Sequence, residues 1–249
     1  MKNIVFLIPV MVAAAAVSAR SYPQLNILIY DQSRTFPGNV IFVDKLSNRI
    51  VEADLEGNII WDCPGPVDDK PQRPGSPPVS RLMDVELLPN DHVFVLNAGT
   101  GVYELDRNGE MIWAYENETV SHDADRLENG GAVMACVGAE SNSDFPYKDP
   151  QAIEVDRDGN IVWEWHAKTE YADSKYRDVR SGDAGDWTHM NSVQRLADGT
   201  TLLSIRNWNL LIAVDSGSKT VWKTGAKQVP PPGTFSAEPP QCPHTPVML

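Results

Sequence analysis

The chain has 249 residues, of which 42% are hydrophobic, and this is enough for one large domain with a sizeable core. Its 21 basic and 34 acidic residues give a formal net charge of −13 at pH 7. So acidic a protein is poorly suited to bind nucleic acid or an anionic membrane surface, and neither is expected as a partner.

The N-terminus has the pattern of a secretion signal. Lys2 precedes an apolar run from Ile4 to Val17, and Val17-Ser18-Ala19 supplies the small residues that suit signal-peptidase cleavage. The run is too short to span a bilayer comfortably, and no second run follows. We predict a signal peptide over residues 1–19, a mature domain over residues 20–249 and a secreted or periplasmic protein with no membrane insertion after cleavage. An uncleaved signal anchor is the alternative.

The three cysteines, Cys63, Cys136 and Cys242, are widely spaced. In an oxidising compartment they allow one disulfide and one free thiol, and the sequence does not select the pair. Asn117-Glu118-Thr119 is a glycosylation sequon, which matters only in a eukaryotic host.

A recurring tryptophan motif organises the mature chain. Asp-x-x-Gly-x-x-x-Trp occurs three times, ending at Trp61, Trp113 and Trp163, and a fourth copy ending at Trp222 moves its glycine to Gly217. The intervals of 52, 50 and 59 residues suit the blades of a β-propeller better than a helical solenoid. We expect the tryptophans to pack between blades rather than to stack on a substrate.

Each repeat has the same internal plan. A first strand leads to a turn such as Leu-Glu-Asn-Gly at 127–130, and a second strand follows it. A third strand ends at the motif aspartate, the glycine lies in a tight turn, and the fourth strand carries the tryptophan. Four short antiparallel strands make a propeller blade. We predict an all-β propeller with about four blades, an incomplete or truncated part of a larger, six-bladed ring. Closure of a four-bladed ring is the alternative.

The long irregular segments all fall on one face of the predicted propeller. Residues 64–81, 166–187 and 228–243 each join the outer strand of one blade to the inner strand of the next. The segment at 138–150 follows a second strand, which returns to the same face. Because loops on a rigid scaffold usually carry function, this face is the candidate functional rim.

Four residues stand where the inner strands are expected to begin, directly after the rim connections. The four residues at these starts are Met83, His122, His189 and His244. His189 comes two residues earlier than the others relative to its turn, which suggests a bulge. Three of the five histidines thus face the channel mouth, whereas His92 and His166 fall elsewhere and no role is expected for them.

Arg206 adds a cation at the same place. It lies seven residues after the turn glycine Gly199, where the two preceding blades have Ala98 and Val137. We expect it to approach His189 from the neighbouring strand. The alternative is a surface arginine paired with a rim aspartate such as Asp183 or Asp186.

These residues together resemble the arylsulfotransferase propeller family over roughly residues 38–249. The similarity rests on the tryptophan blades, on "SHDADRLENGG", on "DWTHMNSV" with the arginine that follows, and on the terminal "PHTPVML". It implies transfer of a sulfuryl group from a phenolic sulfate ester to a phenol, through a sulfohistidine and without a nucleotide sulfate. His122 matches the family's His-Asp motif, His189 and Arg206 match its central pair, and His244 would be the nucleophile, although Thr245 replaces the family's aspartate. Neither a cofactor nor a metal is expected.

General chemistry is consistent with this activity. An imidazole with an ordinary pKa of about 6.5 is mostly neutral at pH 7 and can attack sulfur. Arg206 and a second histidine can stabilise the sulfuryl oxygens, and His122 or His189 can act as the general base for a phenol. The alternatives are a secreted binding propeller without catalysis, an inactive truncated relative and a quinoprotein-like propeller. Open blade edges would also permit self-association.

Overall fold

The computed structural model describes residues 24–66, 81–138, 147–177 and 187–225, and these residues form four antiparallel β-sheets. Blade 1 consists of β1 (Val40–Asp44), β2 (Arg49–Ala53) and β3 (Ile59–Pro64). Blade 2 consists of β4 (Leu82–Leu87), β5 (Val93–Asn97), β6 (Gly101–Leu105) and β7 (Met111–Glu116). Blade 3 consists of β8 (Val120–Arg126), β9 (Ala132–Cys136), β10 (Ala152–Val155) and β11 (Ile161–Trp165). Blade 4 consists of β12 (Met190–Arg195), β13 (Thr201–Ile205), β14 (Leu210–Val214) and β15 (Thr220–Gly225).

Every strand pairs with its neighbours in sequence, so each blade is an up-and-down meander, and the predicted all-β propeller fold is confirmed. A short helix α1 (Ala167–Tyr171) and a 3-10 turn (Arg206–Trp208) are the helical elements of the described residues. Since Trp61 lies on the last strand of blade 1, the strand that this blade lacks in the described residues is the innermost one.

The inner strands β4, β8 and β12 pack side by side, and β1 packs against β4. Within the described residues blade 4 makes no comparable contact with blade 1, so the four blades form an open array. The predicted signal peptide, Cys242 and His244 lie outside the described residues. Cys63 and Cys136 are both buried free thiols. None of the helices in the described ranges has the length and hydropathy that crossing a membrane requires.

The strict Asp-x-x-Gly spacing follows from the turn between the third and fourth strands. In blade 2 the Asp106 carboxylate accepts hydrogen bonds from the backbone N–H groups of Asn108 and Glu110, both at 2.8 Å. Gly109 has a φ of 81°, in the left-handed region that favours glycine. This turn fixes the start of the fourth strand and therefore the place of Trp113.

One arginine lies between a glutamate and a tryptophan of the preceding blade at each described blade interface. Arg126 of blade 3 donates from Nε to Glu104 Oε2 at 2.9 Å, and its guanidinium carbon lies 4.0 Å from the centroid of the Trp113 ring. The other two trios are Arg107 with Glu52 and Trp61, and Arg195 with Glu154 and Trp163. The predicted packing of tryptophans between blades is therefore confirmed at these interfaces. Blade 4 has Ala213 at the glutamate position, and its Trp222 is 50% exposed.

Candidate functional site

The rings of His122 and His189 meet between blades 3 and 4. Their ring centroids are 4.7 Å apart and the rings are inclined at 62°, so one edge faces the other ring. His122 lies near the start of β8, and His189 lies one residue before β12. The two histidines that the sequence placed at successive blade starts are thus in contact across the interface of blades 3 and 4. We refer to His122, His189 and Arg206 as the two-histidine site.

Both histidines have a strained backbone. The φ angle is 61° at His122 and 46° at His189, whereas the other described non-glycine residues with positive φ are Asn, Asp or Ser. A histidine tolerates this left-handed region better than most residues, but the region remains unfavourable for any residue with a Cβ. Strand pairing shifts register around His122, between Val120 and Ala124, and just after His189, between Met190 and Ser192. Blade 2 has the equivalent shift between Leu82 and Asp84.

Three hydrogen bonds hold Arg206 next to His189. The N–H of Arg206 donates to the His189 carbonyl at 3.2 Å, and the N–H of Asn207 donates to the Thr188 carbonyl at 3.1 Å. The fully buried Thr188 hydroxyl donates to the Gln151 side chain of blade 3. Arg206 directly follows β13, the second strand of blade 4, and begins the 3-10 turn.

Four buried aromatic rings pack together next to the segments that carry His189 and Arg206. Trp208, at the end of the 3-10 turn, lies 4.7 Å from the Trp187 ring and 5.0 Å from each of the Tyr171 and Tyr176 rings, measured between centroids. Trp187 precedes His189 by two residues, and the two tyrosines belong to the segment after β11. All four rings are at least 94% buried. The rim segment after β11 thus contributes buried packing to the 3-10 turn that begins at Arg206.

The Arg206 side chain is half-buried and makes no ion pair or hydrogen bond within the described residues. The alternative partners Asp183 and Asp186 lie outside the described ranges. An arginine whose five N–H donors are not engaged is suited to a planar or tetrahedral anion such as a carboxylate, phosphate or sulfate.

Carboxyl groups of β4 and β8 interact with one another, beginning at Asp123, the residue after His122. Burial, and then the charge of Asp84, raise the pKa of Asp123 to about 8. Burial together with the charges of Glu86 and Asp84 raises the pKa of Asp125 to about 7. Asp84 and Glu86 also have raised pKa values, chiefly through burial. Near neutral pH these carboxyl groups therefore hold protons that ordinary carboxyl groups would have lost. No three side chains of His, Cys, Asp or Glu in the described ranges are arranged to hold a metal ion.

We expect the free energy of unfolding to fall as the pH rises from about 5 to about 8. A carboxyl whose pKa is higher in the folded chain binds its proton more tightly when folded, so its contribution is lost as the pH rises from the ordinary value of 3.8 to the folded value. That interval ends at about 7 for Asp125 and about 8 for Asp123. Urea unfolding followed by tryptophan fluorescence across this pH range measures the slope.

A double variant, Asp123→Asn with Asp125→Asn, is expected to flatten that slope because amides do not titrate. Asp198→Asn is the matched control. Asp198 lies in an exposed turn, and hydrogen bonds from Thr200 lower its pKa, so it titrates below the interval. An undiminished slope in the double variant would contradict the assignment.

The remaining predicted positions lie apart from the two-histidine site or outside the described residues. His244 belongs to the residues that are not described, and Met83 is half-buried on β4. His92 contacts Glu104 at 2.7 Å in the turn between β4 and β5, and the His166 ring lies 3.4 Å from both Asp149 and Glu164 after β11. The sequence analysis did not predict the interacting carboxyl groups of β4 and β8 or the role of Trp208. The two aspartates in "HDAD" were a usable signal for the former.

Comparisons with known proteins agree with this architecture. The family model described as Arylsulfotransferase (ASST) matches residues 26–232. A search of curated protein sequences found no match. Among solved structures, a streptogramin B lyase aligns at 13% identity with a TM-score of 0.50, covering 76% of this chain and 52% of that one.

Two further structures align at similar levels. A protein of unknown function from Bacteroides caccae has 13% identity and a TM-score of 0.49, with 81% of this chain and 63% of that one covered. The WD40 β-propeller domain of Doa1 has 9% identity and a TM-score of 0.48, with 78% and 53% covered. The chain therefore spans between half and two thirds of these structures' length. At such identities the structural likeness concerns the fold alone, whereas the family match extends over most of the sequence. The chain belongs to the arylsulfotransferase family.

Proposed function

We propose that the two-histidine site transfers a sulfuryl group from a phenolic sulfate ester to a phenol without a nucleotide sulfate. The observation that carries the proposal is the contact of two imidazoles beside an arginine that has no partner among the described residues. A sulfate ester presents three oxygens that share one negative charge. The Arg206 guanidinium supplies the positive charge and the donors to bind them.

The transfer proceeds in two steps with His244 as the carrier. The neutral imidazole attacks sulfur, an N–S bond forms, the S–O bond to the aryl group breaks, and the phenolate leaves with the electron pair. The acceptor phenol oxygen then attacks the same sulfur, the N–S bond breaks, and the imidazole returns to its neutral form. Such a sequence gives ping-pong kinetics. The expectation of a signal peptide over residues 1–19 supports a reaction outside the cytoplasm.

His122 and His189 transfer protons to and from the phenol and stabilise the charge on the sulfuryl oxygens. One of His122 and His189 protonates the leaving phenolate and later accepts the proton of the acceptor, whose ordinary pKa is about 10. The other stays within reach of the sulfuryl oxygens together with Arg206.

Intact-mass spectrometry after incubation with 4-nitrophenyl sulfate tests the proposal. We expect the wild type to gain one SO₃ unit and to release 4-nitrophenol, and His244→Ala to do neither. His122→Ala and His189→Ala are expected to slow the release strongly, because each removes a proton carrier or an oxyanion donor. His92→Ala, which changes a turn histidine bound to Glu104, is the matched control and should behave as the wild type.

The possible results separate the alternatives. An adduct that persists in His244→Ala but not in one of the other histidine variants would move the carrier to that histidine. Folded wild-type protein that forms no adduct and releases no phenol would refute the proposed transfer. Binding of the ester without turnover would then indicate a binding propeller.

A further inference from the structure

Carboxyl side chains link the inner strands of successive blades. Asp123 Oδ2 on β8 accepts the backbone N–H of Val193 on β12 at 2.9 Å, and Glu86 Oε2 on β4 accepts the N–H of Arg126 on β8 at 3.2 Å. Each blade is a separate sheet, so its inner strand has no backbone ladder to the next inner strand. These side chains supply hydrogen bonds that the sheets themselves do not make.

Asp123 makes its link directly beside the two-histidine site. It follows His122 in sequence, and Val193 follows His189 by four residues. His122 lies within a register shift, and His189 lies just before the start of β12, so regular strand pairing fixes the backbone of neither. A hydrogen bond from the residue next to His122 to β12 therefore limits how far blade 3 can move relative to blade 4 at this point.

We propose that Asp123 is a positioning residue, whose carboxyl holds His122 of blade 3 against His189 of blade 4. It acts through His122 and does not touch the substrate. The predicted effect on turnover rests on the proposed function, whereas the effect on the contact of the two rings does not.

The surroundings of Asp123 make its role dependent on pH. Its carboxyl hydrogen-bonds to that of Asp84 on β4, and the charges of Asp84 and Asp125 both raise its pKa. Glu86 on β4 lies beside these groups. From β12, the backbone N–H groups of Val193 and Arg195 face the carboxyl groups of Asp123 and Asp125. Loss of the proton shared by Asp84 and Asp123 would add a second negative charge near a site for an anionic ester. We therefore expect turnover to fall on the alkaline side.

Three variants separate positioning from general support of the fold. Asp123→Ala removes the link, and Asp123→Asn keeps an oxygen that accepts the Val193 N–H but cannot ionise. Asp125→Ala is the matched control, because Asp125 is also on β8 and its carboxyl interacts with the N–H of Arg195, two residues farther from the histidines. Nuclear Overhauser contacts between the His122 and His189 ring protons report their distance. Values of kcat and KM with 4-nitrophenyl sulfate from about pH 5 to about pH 9 report function.

The expected pattern is specific. Asp123→Ala loses the contact between the rings, and its kcat falls on the order of 10²-fold with little change in KM. Asp123→Asn keeps the contact and much of kcat but loses the alkaline fall. Asp125→Ala keeps the contact and the alkaline fall, which moves to lower pH because the charge of Asp125 no longer raises the pKa of Asp123. Equal loss of the contact in Asp123→Ala and Asp125→Ala, or retention of it in both, would overturn the proposal.

A variant that does not fold and a wild type without turnover each have a defined meaning. If Asp123→Ala does not fold, Asp123→Ser replaces it, since the serine hydroxyl is too short to span the same gap. Failure of both to fold while Asp125→Ala folds would assign Asp123 to the fold and overturn the positioning role. A wild type without sulfuryl transfer would refute the proposed function alone, because the contact of the rings still decides the role of Asp123.

Discussion

Arg206→Ala is expected to lower kcat/KM for sulfuryl transfer by about 10²-fold to 10³-fold while leaving the fold intact. The guanidinium has no protein partner within the described residues, so its removal breaks no ion pair there. Its backbone bond to the His189 carbonyl is independent of the side chain. The free energy of unfolding should therefore change by less than about 1 kcal/mol. Steady-state kinetics with 4-nitrophenyl sulfate and urea unfolding measure the two quantities.

Arg206→Lys tests the geometry of this contact. A lysine retains the charge but loses the planar fork of donors, so activity should remain well below the wild type. Arg177→Ala is the matched control, since Arg177 also belongs to the rim but is 46% exposed and pairs with Asp173. If Arg206→Ala retained wild-type kcat/KM, the guanidinium would have no role in binding the ester.

Trp208→Ala is expected to produce the largest loss of stability among the changes considered, about 3–5 kcal/mol. The indole is 1% exposed and contacts three other aromatic rings, so the substitution leaves a cavity under the 3-10 turn. Loss of this packing should also make the backbone at His189 and Arg206 more mobile. Urea unfolding followed by circular dichroism measures the effect without relying on tryptophan emission.

Trp222→Ala provides the comparison within the same blade. Trp222 is 50% exposed on the outer strand, so its removal should lower the free energy of unfolding by less than about 1 kcal/mol. Similar losses in the two variants would show that the aromatic cluster under the site contributes no special packing.

The propeller could be predicted because its signals are local. Asp106 and Gly109 specify a turn within five residues, and the same chemistry repeats at Asp54 and Asp156. Counting from these turns was sufficient to align the blade starts. The meeting of His122 and His189 followed from that alignment together with the side-by-side packing of propeller blades.

Contacts between distant segments could not be predicted in the same way. Asp123 is an unremarkable strand residue until its partner Val193, 70 residues later, is known. The arginine between Glu104 and Trp113 is likewise ambiguous, because each residue type is common on a blade surface. That the described part of blade 1 has three strands and no inner one could not be predicted either, because the tryptophan that marks the repeat lies on the outer strand.

The left-handed backbone of the two histidines has a consequence for how the protein responds to selection. A non-glycine residue in a sparsely populated region destabilises the fold by about 1–3 kcal/mol, and glycine would remove most of that strain. At positions 122 and 189 the histidine to which we assign sulfuryl transfer therefore fits the backbone less well than glycine would. A library selected for heat resistance alone would drift towards glycine or asparagine there, and a library selected for turnover would keep histidine.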